Sequence, residues 1–246
     1  MIPKVIHYCW FGDNNLPPKY KKYIESWKTF LPEYEIIQWN EKNFDINSCN
    51  YVKEAYEAQK WAFVSDYARF KILYEYGGIY LDTDVELIKD MKMLLNQGPF
   101  MGCEYNSNNS LGFKCLINPG LGFAAEPNSE IINEILKGYE KRHFKKTTGE
   151  YDLTTICEYT TDFFTKYGFA GEDGNIEKIG GFMILPPEYL CPIDYRVGKI
   201  CVTDNTFSIH HYDASWNSKM TRIKSLIYKK LIRIFGIDKV EKFRKK

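Results

Sequence analysis

WAFVSDYARFKILYEYGGIYLDTDVEL, residues 61–87, decides how the chain is read. Its first part places Phe63, Tyr67, Phe70 and Tyr74 at helical spacing, and Gly77 stands where a helix ends on a glycine. GIYLDTDVELI then reads as one strand rich in β-formers, carrying Asp82 and Asp84 at the carboxyl edge of its apolar part. On a regular strand residues two apart share a face, so both carboxylates project together with Thr83 opposite. Adjacent carboxylates repel, and each is costly to bury without a cation or donors. Mg²⁺ or Mn²⁺ meets that need, because both take hard oxygen ligands and leave positions for waters and phosphates. A DxD tripeptide alone is a weak sign, arising by chance in on the order of half of chains this long. Its setting strengthens it, since open α/β sheets bind ligands at their carboxyl edges.

Two further clusters join this stretch. Asp66 and Arg69 stand three apart on the helix, hence on one face, displaced from the aromatic stripe. The plain alternative is a surface ion pair worth a few tenths of a kcal/mol. Near the other end, SIHHYDASW (208–216) gathers two histidines with Asp213, Ser215 and Trp216. Histidine ligates Mn²⁺-class metals, while a hydroxyl and an indole N–H donate to phosphate oxygens. The alternative is one histidine packed on a sheet and its neighbour in solvent.

Around these clusters strands alternate with helices. KVIHYCWFG and YEIIQWN read as strands, PPKYKKYIESWKTF as a helix entered on proline, and residues 51–60 as another helix. LGFKCLIN, GFMILPP and KICVTDNTFSIHHY read as later strands. SEIINEILKGYEKR, with Ser129 near its cap, and TTICEYTTDFFTKYG read as later helices. The alternation predicts an α/β sheet in one domain, residues 1–216, followed by a tail, 217–246.

Composition excludes several classes. Net charge is +1, against a nucleic-acid binder, and the hydrophobic fraction of 44% is that of an ordinary globular protein. Seven cysteines form no CxxC pair, which predicts reduced thiols and no zinc site. No apolar run approaches the ~18 residues that span a bilayer, and the start shows no signal-peptide pattern, so a cytoplasmic location is the expectation. The charge is uneven: from Lys219 to Lys246, 11 Lys and Arg stand against Asp238 and Glu241, leaving +9 there and −8 elsewhere. Met220, Ile223, Leu226, Ile227, Leu231, Ile234 and Phe235 fall at helical spacing between those charges. A basic amphipathic helix of this kind suits the anionic surface of an inner membrane, its alternative being a helix packed on the domain.

IPKVIHYCWFG, SDYARFKILYEYGGIYLDTDVEL and IHHYDASW together resemble the signature blocks of the DxD sugar-transferase family, glycosyltransferase family 32. That family includes initiating mannosyltransferases and bacterial capsule and lipopolysaccharide enzymes, and the glucosylating domains of clostridial toxins share its blocks. The resemblance implies a GT-A fold with a mixed, mainly parallel nucleotide-binding sheet flanked by helices. It also implies a UDP- or GDP-sugar donor, Mn²⁺ or Mg²⁺, and transfer with retention to a glycan or lipid-linked acceptor in surface polysaccharide synthesis. Carried over, Asp84 binds the metal and Asp82 touches both the ribose and, through water, the metal. Asp66 and Arg69 contact the donor sugar, and these four are the expected catalytic residues. Ile6, Trp10 and Tyr80 belong to the donor pocket, Trp10 near the base; Ser215 and Trp216 hold the diphosphate. His211 is the expected metal ligand, with His210 the fallback. The family's T-G-P motif has only Thr148-Gly149-Glu150 as its nearest counterpart here, so nothing is carried over for the acceptor.

Three other readings remain open on residues alone. GLGFAA (120–125) fits the dinucleotide fingerprint, but Pro119 precedes it and no helix opens on its glycines. A metal-dependent phosphodiesterase could use Asp82, Asp84 and His211 but needs a second carboxylate cluster. A carbohydrate-binding module would use the 16% aromatic residues without requiring the carboxylates.

Overall fold

The computed structural model describes residues 1–106, 112, 114–172, 174–194, 199–213, 227, 228 and 230–232. The chain opens with β1 (Val5–Cys9), α1 (Pro18–Phe30) and β2 (Glu35–Trp39). Pro18 sits in the first turn of α1, where its missing N–H removes no helix bond, and Tyr20, Tyr23, Ile24 and Trp27 bury one stripe. α2 (Asn50–Glu57) and α3 (Trp61–Tyr76) follow, and β3 (Gly78–Tyr80) returns alongside β1. β1 pairs in parallel with β2 on one side and β3 on the other. The winding therefore reverses at β1, and the crevice beyond the carboxyl ends of β1 and β3 is the place where such sheets take ligands. Trp10 and Asp82 leave the sheet at that edge.

The remaining elements are β4 (Val85–Leu87), α4 (Lys92–Leu95), β5 (Phe100–Tyr105), β6 (Cys115–Ile117), β7 (Phe123–Ala125), α5 (Glu130–Glu140) and α6 (Ile156–Thr165). After them come β8 (Glu177–Ile179), β9 (Phe182–Leu185), α7 (Pro187–Leu190), β10 (Ile193–Asp194), β11 (Lys199–Ile200) and β12 (Ser208–His210). The main sheet runs β2-β1-β3-β7-β5-β9-β8, with β6 on β5. β5 and β9 are parallel, whereas β7 runs antiparallel to β3 and β5, and β8 to β9. This is the mixed α/β sheet flanked by helices that the alternating pattern leads one to expect. Successive residues of β3 enter opposite apolar clusters: Ile79 joins Trp27, Val85 and Leu190, while Tyr80 joins Phe70, Phe123 and Tyr139. The sheet is thus buried on both faces.

Two sequence expectations change here. GIYLDTDVELI is not one strand. β3 stops at Tyr80, a turn closed by Val85 N–H donating to the Asp82 carbonyl (3.0 Å) intervenes, and β4 pairs with β12 instead. KICVTDNTFSIHHY likewise divides, into β11 and β12. The passage from α3 into β3 needs its glycines: Gly78 has φ 98°, and a Cβ there would lie 2.6 Å from the Val5 carbonyl oxygen. α3 also differs from an amphipathic surface helix. Val64, Asp66, Tyr67, Ala68, Arg69, Phe70, Ile72 and Leu73 are all buried, so the Asp66–Arg69 pair lies inside the protein rather than on a solvated face.

His7 shows how tightly this half is closed. Fully buried on β1, its Nδ1 accepts from the Trp39 indole N–H (3.1 Å) and its Nε2 donates to the Gly77 carbonyl (3.0 Å). Burial pushes the imidazole down to about 4, against the pull of the Gly77 carbonyl.

Candidate metal and donor site

The site is built from two sides of a crevice. On the first, Tyr80 and Asp82 keep the strand's period of two and both face α3. The Tyr80 hydroxyl donates to Asp82 Oδ1 (2.9 Å). Arg69 Nη2 reaches Asp66 Oδ1 at 3.0 Å and Asp82 Oδ1 at 3.5 Å, with the guanidinium over the Tyr80 ring at 4.9 Å. Arg69 is 3% exposed and its Nη1 is buried without a partner, a donor held ready at the crevice. Burial pushes the Asp66 carboxyl up to about 7, Arg69 opposing and Asp82 adding to the shift. Burial also acts to lower Arg69, but Asp82, Tyr80 and Asp66 outweigh it and hold the guanidinium charged.

On the second side, β12 lies antiparallel to β4 with His210 opposite Val85. His210 Nε2 stands 3.1 Å from Asp84 Oδ1, and the Asp213 N–H donates to Asp84 Oδ2 at 2.9 Å. Burial would raise the Asp84 carboxyl, but His210 and the Asp213 N–H bring it down to about 2. Burial would lower His210, and Asp84 instead lifts it to about 9. Helix α1 steadies β4 from behind: the Trp27 indole N–H donates to the Val85 carbonyl (2.8 Å), and the Ser26 hydroxyl accepts from Leu87 N–H (2.9 Å).

Asp82, Asp84 and His210 each offer one ligand atom, and these atoms lie within 4.8 Å of one another. Two carboxylate oxygens and one imidazole nitrogen suit Mn²⁺ or Mg²⁺. The buried His210 Nδ1 has no hydrogen-bond partner among the described residues. The donor set fits the metal that the sequence implies.

His210, not His211, joins the carboxylates. Adjacent strand residues face opposite ways, so His211 turns outward, with Nε2 2.8 Å from Glu86 Oε2 and its ring stacked on Tyr23 at 4.5 Å. Ile6, on β1, is fully buried in the cluster with Tyr8, Trp27 and Ile79. Trp10 is half-buried at the carboxyl end of β1, its indole N–H donating to the Asn14 carbonyl (2.7 Å) and its ring 5.5 Å from that of Tyr20. Tyr80 is buried and acts on Asp82 through its hydroxyl. Ser215 and Trp216 lie outside the described residues, as do most of the tail and the boundary at 216.

Four residues of the site escape a reading of the sequence. The Gly120 carbonyl accepts from Asp82 N–H (3.0 Å), and a Cβ on Gly120 would lie 2.1 Å from Asp82 Oδ2 and 3.0 Å from Arg69 Nη1. Asn118 Oδ1 accepts from Gly120 N–H (2.8 Å). Glu104 and Tyr212 complete the set, 3.1 Å apart between Oε2 and the hydroxyl. Tyr212 stands inside SIHHYDASW, and for Gly120 the visible signal is GLGFAA. Its last three residues form β7, antiparallel to β3, so its glycines open no helix; the first of them seats a carboxylate.

Residues 17–101 match the model of the glycosyltransferase sugar-binding region containing a DXD motif. The matched stretch takes in Asp66, Arg69, Asp82 and Asp84. Inositol phosphoceramide mannosyltransferase 1 of Schizosaccharomyces pombe is 30% identical over 159 residues, 59% of this chain and 46% of that protein. An uncharacterized glycosyltransferase, L373, of Acanthamoeba polyphaga mimivirus is 27% identical over 225 residues, 88% of this chain and 84% of the relative. The chain spans about half or less of the length of the yeast mannosyltransferases it matches. Among solved structures, the PaToxG glycosyltransferase aligns at TM-score 0.49 and 17% identity, covering 67% of this chain and 69% of its own. Galactosyltransferase LgtC, in complex with donor and acceptor sugar analogues, aligns at 0.49 and 12%, covering 92% and 94%.

Proposed function

We propose that the protein is a metal-dependent, retaining glycosyltransferase that moves a sugar from a UDP- or GDP-sugar to a glycan or lipid-linked glycan. The observation that carries this is the Asp82–Asp84–His210 cluster facing the unpartnered Arg69 Nη1 at the reversal point of the sheet. Bound there, Mn²⁺ or Mg²⁺ would supply Lewis-acid stabilisation of a diphosphate leaving group. Arg69 adds a fixed positive charge, and Asp66 accepts a sugar hydroxyl. Trp10 offers an aromatic face for the base, and Ser215 and Trp216 are assigned to the diphosphate. In a front-face transfer the anomeric carbon–diphosphate bond breaks as the acceptor oxygen bonds to the same face. The acceptor's proton passes to the departing phosphate oxygen, so no nucleophilic carboxylate is required.

The acceptor class follows the yeast relatives, whose name puts their sugar on a lipid; the role in capsule or lipopolysaccharide synthesis rests on the sequence resemblance alone. The basic tail is assigned to the cytoplasmic face of the membrane. No helix among the described residues is long and apolar enough to cross it. Ile227 and Leu231, four apart, are 55% and 39% exposed, which supports an apolar face turned outward. Unchanged binding to anionic vesicles after removal of residues 219–246 would refute this attachment. A phosphodiesterase is less well supported, since the described residues hold one such ligand cluster and that chemistry takes two metals.

The direct test is hydrolysis of a panel of nucleotide sugars with and without Mn²⁺, run beside Asp84→Ala. One donor turned over, only with metal and only by the unmodified protein, is the expected result. No donor bound or hydrolysed under any condition would overturn the assignment.

A further inference from the structure

We propose that Glu104 is a positioning residue that braces both sides of the metal cluster at once; this rests on the metal reading above. Glu104 projects from β5, and its Oε2 accepts from Asn118 Nδ2 at 2.6 Å and from the Tyr212 hydroxyl at 3.1 Å. Donors from two separate parts of the chain therefore converge on one oxygen.

Each of the two oxygen-anchored arms ends on a metal-ligating residue. Through Asn118, Glu104 fixes the Gly120 peptide, whose carbonyl takes the Asp82 N–H and whose bare Cα leaves room for the Asp82 carboxylate. Through Tyr212 it fixes His210, since the tyrosine ring packs edge-on against the imidazole, with centroids 4.4 Å apart and planes at 79°. Tyr212 has φ 49°, a left-handed conformation that costs a bulky residue on the order of 1 kcal/mol or more and persists only where surrounding contacts hold it. Its hydroxyl, shared between Glu104 and Cys191 Sγ (2.8 Å), supplies such contacts.

A carboxylate suits this junction, because it accepts several hydrogen bonds and donates none. Asn118 and Tyr212 both donate to Oε2, so the carbonyl oxygen of glutamine can keep both bonds, whereas leucine keeps much of the shape and accepts neither. Residues that orient metal ligands from behind typically alter metal affinity by about 10- to 100-fold when changed.

The test is Mn²⁺ binding to metal-free protein, followed by the electron paramagnetic resonance of free Mn²⁺ and with no substrate present. E104L is expected to raise the Mn²⁺ Kd by about 10-fold or more, measured well below its thermal midpoint so that unfolding does not contribute. Y212F, which removes one oxygen, is expected to raise it less. E104L/Y212F should bind no more weakly than E104L, because E104L already cuts the Tyr212 arm. A Kd within twofold of the unmodified protein for E104L, or losses that simply multiply in the double variant, would overturn the proposal. If E104L does not fold, Y212F decides, and an unchanged Kd there counts against it. If the unmodified protein binds no Mn²⁺, the metal reading falls and takes this role with it; equal binding by E104L removes the bracing role alone.

Discussion

The two carboxylates of the DxD motif are two residues apart, yet they belong to different regions of the molecule. The polar partners of the Asp82 carboxylate come from its own neighbourhood in sequence: Arg69 and Tyr80 belong to the same helix–turn–strand unit. Asp84 is held by residues that arrive from the far end of the chain, with Asp213 separated from it by 129 positions. The turn between them divides a locally determined half-site from a half-site that exists only once β12 has paired with β4. A metal bound by both would join the regions, so changes on each side should differ in kind.

The largest effect is expected on the long-range side. Asp84→Ala and His210→Ala should each lower metal-dependent donor turnover on the order of 10³-fold. His211→Ala, one residue along and facing away, should stay within about threefold of the unmodified protein in Mn²⁺ affinity. Equal losses from both histidine variants would break the assignment of His210. Metal titration of the three proteins settles the ranking.

Arg69→Ala tests the local side. It should cost about 10²-fold in turnover and also destabilise the protein by about 3–5 kcal/mol in urea unfolding, because Asp66 is left buried beside Asp82 without its cation. Arg69→Lys should recover part of the stability and little of the activity, since an ammonium cannot span both carboxylates as the planar fork does.

The acid behaviour of the local half follows from His7. Its folded value of about 4 lies below the ordinary 6.5, so the unfolded chain binds the proton more readily between those values. The contribution is complete above pH 6.5 and is lost as pH falls toward 4, by up to about 3 kcal/mol. His7→Gln should flatten that slope in urea unfolding followed against pH; an unchanged slope would place its origin elsewhere.

Gly120→Ala should have the smallest effect and lies between the regions. A Cβ 2.1 Å from Asp82 Oδ2 obliges the carboxylate to move. The expected cost is about 1–3 kcal/mol of stability and roughly tenfold in Mn²⁺ affinity. Loss of stability with metal binding intact would show that Asp82 relaxes without harm to the cluster.

Legibility followed the same division. α3, its glycine stop and the helical neighbours Asp66 and Arg69 could be read directly, because helix periodicity and i,i+3 spacing are properties of a short segment. Their burial could not, since the aromatic stripe gives no notice that α5 and the sheet enclose the helix on its other faces. The turn at residues 81–84 was read as strand because Leu81 and Val85 are apolar and both buried, leaving no polar break in the pattern. Asn118 and Glu104 carried no motif, and their meaning comes from contacts made across the fold.

From residues alone came the α/β class, the resemblance to the DxD family and the pairing of two carboxylates with a basic partner, since each rests on patterns that short segments carry by themselves. Only the tertiary structure chose His210 over His211, because that choice depends on the register of β12 against β4. It likewise placed Gly120 against Asp82 and brought Glu104 to Asn118 and Tyr212. Those contacts arise when distant strands pack, and side-chain direction on a strand reverses with every single step along it.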